Sequence, residues 1–323
     1  MKGDDNAIYP VSTRQALIQK AKSLSSSGSY STVGWSNRAG LALTPAAIPG
    51  VYTADRPFLW NNIDVGCRMT VIELEKGGLW VHSPVALDGP LREALQKLGV
   101  PVKHVVSPNY EHVKFAKQWA TAFPEASMWA CPGLMERMPD IKWEGEIPYG
   151  CRPPAWPKGS SNPPRKSWDW NEIQPLHMDT EVNPFTGNPF FNEVIYYHTP
   201  SKTLLTTDLY WNYPKGDGVT NSNYQGLPGS DKEDFGVWEL APKVESVPLG
   251  SRLWKQGMDK VFRPFYLNLM IQRDKRPPFQ AICEFLVNGW EIETVIPAHG
   301  DIIRGKTLIQ TVLTDFFNLN KKQ

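Results

Sequence analysis

Three places in the chain put a side chain able to bind a metal just past a β-rich run. They are Ser107-Pro108-Asn109-Tyr110-Glu111-His112 after Lys103–Val106, Asp208 after Thr203–Thr207, and Pro297-Ala298-His299-Gly300-Asp301 after Thr294–Ile296. A strand end fixes the backbone well, which is what a ligand or a catalytic group needs. Taken singly, a His or Asp in such a place also serves as a turn former or as a satisfied polar group. It is the order of the three patterns along the chain that points to a shared site.

The elements that must carry these residues follow from the apolar pattern. Met69–Leu74 and Leu79–His82 read as a hairpin closed by Glu75-Lys76-Gly77-Gly78, expected to begin the first sheet. A short amphipathic helix over Pro90–Lys97, a strand over Lys103–Val106, a helix over Phe115–Phe123 ended by Pro124, and a strand over Ser127–Cys131 continue it. Val194–Tyr197 and Thr203–Thr207 read as a second hairpin turning through His198–Lys202. Helices over Lys255–Gln272, Pro278–Asn288 and Leu308–Leu319 and a short strand at Thr294–Ile296 complete the set. Two blocks of strands, each followed by helices, predict two sheets packed face to face and covered by helices, with the chemistry where strand ends meet.

Residues 139–175 are rich in proline and hold Trp143, Trp156, Trp168 and Trp170, which reads as a long surface loop or lid. A second polar inserted loop is expected near 212–236. Residues 1–49 read as an N-terminal extension with a short helix near Thr13–Leu24, and 50–323 as the folded domain. Val11–Ala54 holds no Asp or Glu, a bias shared with organelle transit peptides, although an N-capped helix of the folded domain explains the same residues.

Lys plus Arg number 34 and Asp plus Glu 33, and the net charge of +1 gives no general attraction for nucleic acid or anionic membrane. Any partner must be recognised locally. No apolar run is long enough for a membrane span, so a soluble protein acting on a small-molecule substrate or ligand is expected. Cys67, Cys131, Cys151 and Cys283 lack metal-ribbon or dithiol spacing and read as free or buried thiols.

Arg68-Met69-Thr70-Val71, Gly78–Pro84 (GLWVHSP), Ser201–Asp208 (SKTLLTTD) and Ile296-Pro297-Ala298-His299-Gly300 resemble the metallo-β-lactamase superfamily, and more closely its domain-of-unknown-function 4336 family, common in photosynthetic organisms. The resemblance runs from about Gly50 to Gly305 and implies an αββα sandwich of the metallo-β-lactamase type. The superfamily's first motif, His-x-His-x-Asp-His, serves one metal with its first two residues and a second metal with its last two. Here it reads Ser107-x-Asn109-x-Glu111-His112, so the first-metal ligands are gone. The superfamily's third first-metal histidine has no counterpart near Thr186–Pro189, and His198 sits in a hairpin turn instead. The resemblance leaves Glu111, His112, Asp208 and His299 as a second-metal set for one divalent cation, zinc first, with iron or manganese as alternatives. The extra methylene of Glu111 also suits it to supporting a ligating histidine. Without a metal, the same four residues form a hydrogen-bonded polar cluster.

Such a site implies a hydrolase of an ester, amide or phosphoester, with Asp208 as the catalytic group that orients water and accepts its proton. A non-catalytic member binding a small molecule or a protein is the alternative, and a mononuclear iron oxidoreductase a third reading. His82, His104 and His177 read as structural or surface histidines, with His177 also able to reach the site. Tyr110 and Trp211 read as core residues or stacking groups, and Lys103, Lys114 and Lys117 as a solvated face. Plastid and cytoplasm both stay open as compartments.

Overall fold

The computed structural model describes residues 19, 23–24, 35–153, 166–215, 224, 226–228 and 246–320. Strands β1 (Thr44–Ile48), β2 (Val51–Arg56), β5 (Cys67–Glu73), β6 (Leu79–His82), β7 (Val102–Ser107), β8 (Ser127–Ala130) and β9 (Gly145–Glu146) form one sheet in the order β1-β2-β5-β6-β7-β8-β9. A second sheet runs β10 (Ile173–His177), β11 (Val194–His198), β12 (Thr203–Thr206), β13 (Thr294–Pro297) and β14 (Ile303–Arg304). A small hairpin, β3 (Leu59–Trp60) with β4 (Ile63–Asp64), stands apart from both. The crossovers β6 to β7, β7 to β8 and β12 to β13 pair in parallel, and the hairpins pair antiparallel.

Strand side chains alternate between two environments, and this alternation builds the layers. On β6, Leu79 and Val81 face a cluster with Leu91 and Leu95 of the helix Gly89–Lys97 and Trp119 of the helix Ala116–Ala122, while Trp80 faces the other way. On the second sheet, Ile195, Leu204 and Val295 pack on Ile282 and Leu286 of the helix Arg276–Asn288 and Leu313 of the helix Lys306–Phe316. Trp80, Val106, Trp129, Tyr196, Leu205 and Ile296 meet between the sheets. The result is helix, sheet, sheet, helix, the order expected from the sequence. The helix Gly89–Lys97 starts where Asp88 Oδ1 accepts from Leu91 N at 2.9 Å, a side-chain cap, with Pro90 in the first turn.

The first sheet begins earlier than expected: β1 and β2 precede the hairpin β5–β6, so the sheet starts at Thr44 and not near Met69. The expected boundary at residue 50 therefore falls inside a sheet. Pro45 and the bulge between Pro45 and Ile48 break the alternation that would have revealed β1. The helix expected at Thr13–Leu24 lies mostly outside the described residues; Gln19, Ser23 and Leu24 are helical, and Leu24 is buried against the first sheet's outer face.

The proline-rich segment also differs from a surface loop. Trp168 and Trp170 are buried with the inter-sheet core, where Trp168 meets Trp80 and Trp129 edge-on at 5.4 and 5.7 Å. Its prolines prevent long regular structure, but its aromatic rings carry enough apolar area to plug the sandwich. Residues 154–165 of that segment, and most of the loop expected near 212–236, lie outside the described residues.

Lys255–Gln272, expected as one helix, is a helical stretch starting at Leu249 with π turns at Met258–Phe262 and Tyr266–Met270. Pro264 lies within it, and a proline there removes one N–H and crowds the carbonyl four residues back, which favours wider turns.

Of the histidines read as structural, His82, His104 and His177 are buried, as is His198. Burial pushes the His198 imidazole down to about 4, with Ser201 Oγ 2.6 Å from its Nδ1. The unfolded chain therefore takes up a proton near its ordinary pKa of about 6.5 that the folded chain refuses. Stability from this group is full above that value and falls as pH drops toward 4. Replacing His198→Gln is expected to reduce the loss of unfolding free energy between pH 7 and pH 5 by about 2 kcal/mol. Urea titrations of both proteins at the two pH values measure it, and parallel pH dependences would refute the assignment.

A candidate metal centre under an aromatic cavity

β7 ends at Ser107, and Asn109 turns the chain after it. The Asn109 side-chain oxygen accepts from Glu111 N at 3.0 Å and His112 N at 2.8 Å, and its amide donates to Thr207 Oγ1 at 2.9 Å and Asp208 Oδ2 at 2.6 Å. The residue standing where the sequence comparison expects a lost ligand thus ties His112 to Asp208. Asp208 follows β12 after one residue, Thr207, and is held by Glu193 next to β11. The Glu193 carboxylate accepts from Thr207 N at 2.6 Å, Asp208 N at 2.8 Å and Leu209 N at 2.7 Å. Burial first, then the charge on Asp208, pushes the Glu193 carboxyl up to about 7, against those three N–H donors.

His299 follows β13 in a loop fixed from both sides. Arg68 on β5 donates to Pro297 O at 2.9 Å and Gly300 O at 2.6 Å while pairing with Asp55 at 2.6 Å. Arg38 pairs with Asp301, and Asn212 N donates to His299 O at 3.0 Å. Gly300 has φ +90°, and a Cβ there would overlap the Asn212 carbonyl. Only glycine suits both the backbone angle and that approach.

His112, Asp208 and His299 converge, with one ligand atom of each within 4.8 Å of the others. The two Nε2 atoms lie 3.2 Å apart; Asp208 Oδ2 is 3.3 Å from His112 Nε2, and Oδ1 is 3.5 Å from His299 Nε2. Each ring's Nδ1 faces an oxygen, Ser83 Oγ at 2.7 Å for His112 and Gly66 O at 2.8 Å for His299. A carbonyl can only accept, so His299 carries a proton on Nδ1, and its Nε2, when it carries none, turns a lone pair toward His112. At 3.2 Å two such lone pairs cannot face each other bare: a proton or a cation must lie between them. Burial opposes charge on both His112 and Asp208, but their pairing outweighs it. It holds the His112 imidazolium well above the usual range and the Asp208 carboxyl well below its own.

The donor set fits a small divalent cation. Tetrahedral ligands about 2.0–2.1 Å from zinc stand roughly 3.3 Å from each other, the scale of all three separations here. Glu111 is more exposed, at the rim of the same cavity, and is not among the three converging side chains. Burial and Asp208 raise its carboxyl. His177 bonds Asn192 Oδ1 at 2.9 Å and does not line the cavity; Tyr110 and Trp211 are not in its lining either. The residues that sequence reasoning missed are Ser83, Gly66, Glu193 and Cys67, whose Sγ is 3.9 Å from His112 Nδ1. Ser83 stands in GLWVHSP, where its φ of +56° is unusual for a non-glycine residue.

The three residues form the floor of a cavity of about 390 Å³. Its walls are apolar and largely aromatic, among them Phe58, Trp60, Phe191, Trp254, Met258 and Phe262, with Lys114 also in the lining. Lys114 Nζ lies 5.3 Å from the centre of the Phe58 ring, so it belongs to the mouth as well as to a solvated face.

The family model described as "Domain of unknown function (DUF4336)" matches residues 50–218, more than half of the chain. No curated protein matches it. Among solved structures, the metal-soaked Flv1 flavodiiron core from Synechocystis sp. PCC6803 is similar with a TM-score of 0.52 at 12% identity, covering 85% of this chain and 60% of that one. A putative diflavin flavoprotein fragment from Nostoc sp. PCC 7120 has a TM-score of 0.49 at 10% identity, with 87% and 98% covered. A metallo-β-lactamase from Hirschia baltica has 0.46 at 10%, with 84% and 96% covered. Taken with the layer order and the family match, the chain belongs to the DUF4336 family and has the αββα fold of the metallo-β-lactamases.

Proposed function

We propose that this protein is a metal-dependent hydrolase of an ester, amide or phosphoester that works with one divalent cation, zinc first and iron or manganese as alternatives. The observation that carries the reading is the convergence of two Nε2 atoms and a carboxylate, with both Nδ1 atoms already directed at oxygens. His112, Asp208 and His299 would hold the cation. Bound there, it supplies Lewis-acid polarisation of a carbonyl or phosphoryl oxygen and a nucleophile at neutral pH. Asp208, kept ionised and oriented by Asn109, would orient the attacking water by accepting a hydrogen bond from it. The aromatic walls exclude bulk water and hold an apolar part of the substrate, while Glu111 and Lys114 give the mouth one charge of each sign.

The test is turnover of a p-nitrophenyl ester, an anilide and bis(p-nitrophenyl) phosphate by protein reconstituted with each metal. At least one should be hydrolysed, and His299→Ala should lower its kcat/KM by about 100-fold or more with the fold intact by circular dichroism. A rate no higher than free metal gives on all three substrates would leave the cavity as a binding site without catalysis.

A further inference from the structure

The helical stretch Leu249–Met270 has two different sides. Trp254, Met258 and Phe262 wall the cavity. Leu249, Leu253 and Val261 point outward, 62, 61 and 69% exposed, next to a hairpin tip where Leu59 and Trp60 are 65 and 51% exposed. Isolated exposed leucines are ordinary, but five large apolar side chains on two adjoining elements are not. The elements do adjoin: a Cβ on Gly250 would lie 3.6 Å from Ile63, and the Trp60 and Trp254 rings are 6.3 Å apart. Trp60 and Trp254 also line the cavity, so the exposed apolar rim is the cavity's mouth.

The same stretch concentrates positive charge. Leu249–Met270 holds four basic side chains (Arg252, Lys255, Lys260, Arg263) and one acidic one (Asp259), a local +3 in a chain of net +1. Lys255 pairs with Asp259, and Arg263 with Asp315. Arg252 and Lys260, both exposed, have no carboxylate partner among the described residues. Exposed leucine, valine and tryptophan flanked by unpaired cations suit a surface that is apolar within and anionic at its face, which is a bilayer carrying acidic lipids.

We infer that the mouth of the cavity docks on an anionic lipid surface, with the helix Leu249–Gly257, the π turn after it and the Leu59–Trp60 tip seated among the headgroups. An apolar chain then passes from the bilayer into the aromatic cavity without crossing water. Docking depends on this rim alone and stands whether or not His112, Asp208 and His299 bind a metal.

Flotation with vesicles of phosphatidylcholine, alone or with phosphatidylglycerol, tests it. The full chain should float with the acidic vesicles and not with the neutral ones, and high salt should release it. Arg252→Ala with Lys260→Ala should weaken partitioning about thirty-fold, since each charge near such a surface contributes about 1 kcal/mol. Leu253→Glu with Val261→Glu should abolish flotation with the melting temperature unchanged, because both side chains face outward; His299→Ala should float like the wild type. Wild-type protein that stays unbound with both vesicle types, or glutamate variants that still float, would overturn the inference. So would a dimer in sedimentation, lost in the glutamate variants and unaccompanied by flotation, which would assign the rim to a second copy of the chain.

Discussion

Protein reconstituted with zinc is expected to carry about one equivalent of metal and to melt about 5 °C higher than the metal-free form when free zinc is about a hundred times its Kd. His112→Ala with His299→Ala is expected to carry none and to show no shift. The reason is the 3.2 Å approach of the two Nε2 atoms beside Asp208. A cation there replaces a proton that the folded chain otherwise has to keep between two rings. The Nδ1 contacts with Ser83 and Gly66 mean the rings need not turn to receive it. Inductively coupled plasma mass spectrometry and a thermal scan read the two quantities separately. Wild-type protein that stays empty after reconstitution with zinc, iron and manganese would leave the three residues as a hydrogen-bonded cluster.

Glu193→Ala is expected to destabilise the fold by about 3 kcal/mol or more and to disorganise the loop that carries Asp208. Its carboxylate is the acceptor for three consecutive backbone N–H groups at Thr207, Asp208 and Leu209, in the loop just after β12. Each buried N–H left without an acceptor costs about 1–3 kcal/mol, and among the described residues Glu193 is the side chain that accepts from all three. Glu193→Gln separates geometry from charge, because one of its two polar atoms becomes a donor facing donors. It should fall between wild type and alanine in urea titrations. An alanine variant as stable as the wild type would show that the loop is held by its neighbours instead.

The strands that border the candidate site were legible because their apolar runs are short, β-branched and closed by turn residues; β6, β7, β11, β12 and β13 all lie within a residue or two of the expected positions. The polar residues at their ends were legible too, as types in an order. Their partners were not. Ser83 and Gly66 O act through single atoms brought close by the folding of separate segments, and nothing in their local sequence marks them. Asn109 could be read only as a missing ligand, since its hold on both His112 N and Asp208 exists only when the two sheets are packed. Trp168 and Trp170 were misplaced because prolines report on backbone regularity and say little about burial. The cavity was out of reach for the same reason as Ser83: Phe58, Phe115, Phe191, Asp208 and Trp254 come from five separate parts of the chain.

His112 and His299 stand 187 residues apart, each in the loop that follows a strand, β7 of one sheet and β13 of the other. A cation shared between them is therefore a cross-link as well as a reagent, closing a loop for which a covalent bridge would remove about 5 kcal/mol of chain entropy from the unfolded state. Affinity and folding then become one linked quantity. A substitution deep between the sheets, at Trp80 or Tyr196, will register as weakened metal binding without touching a ligand.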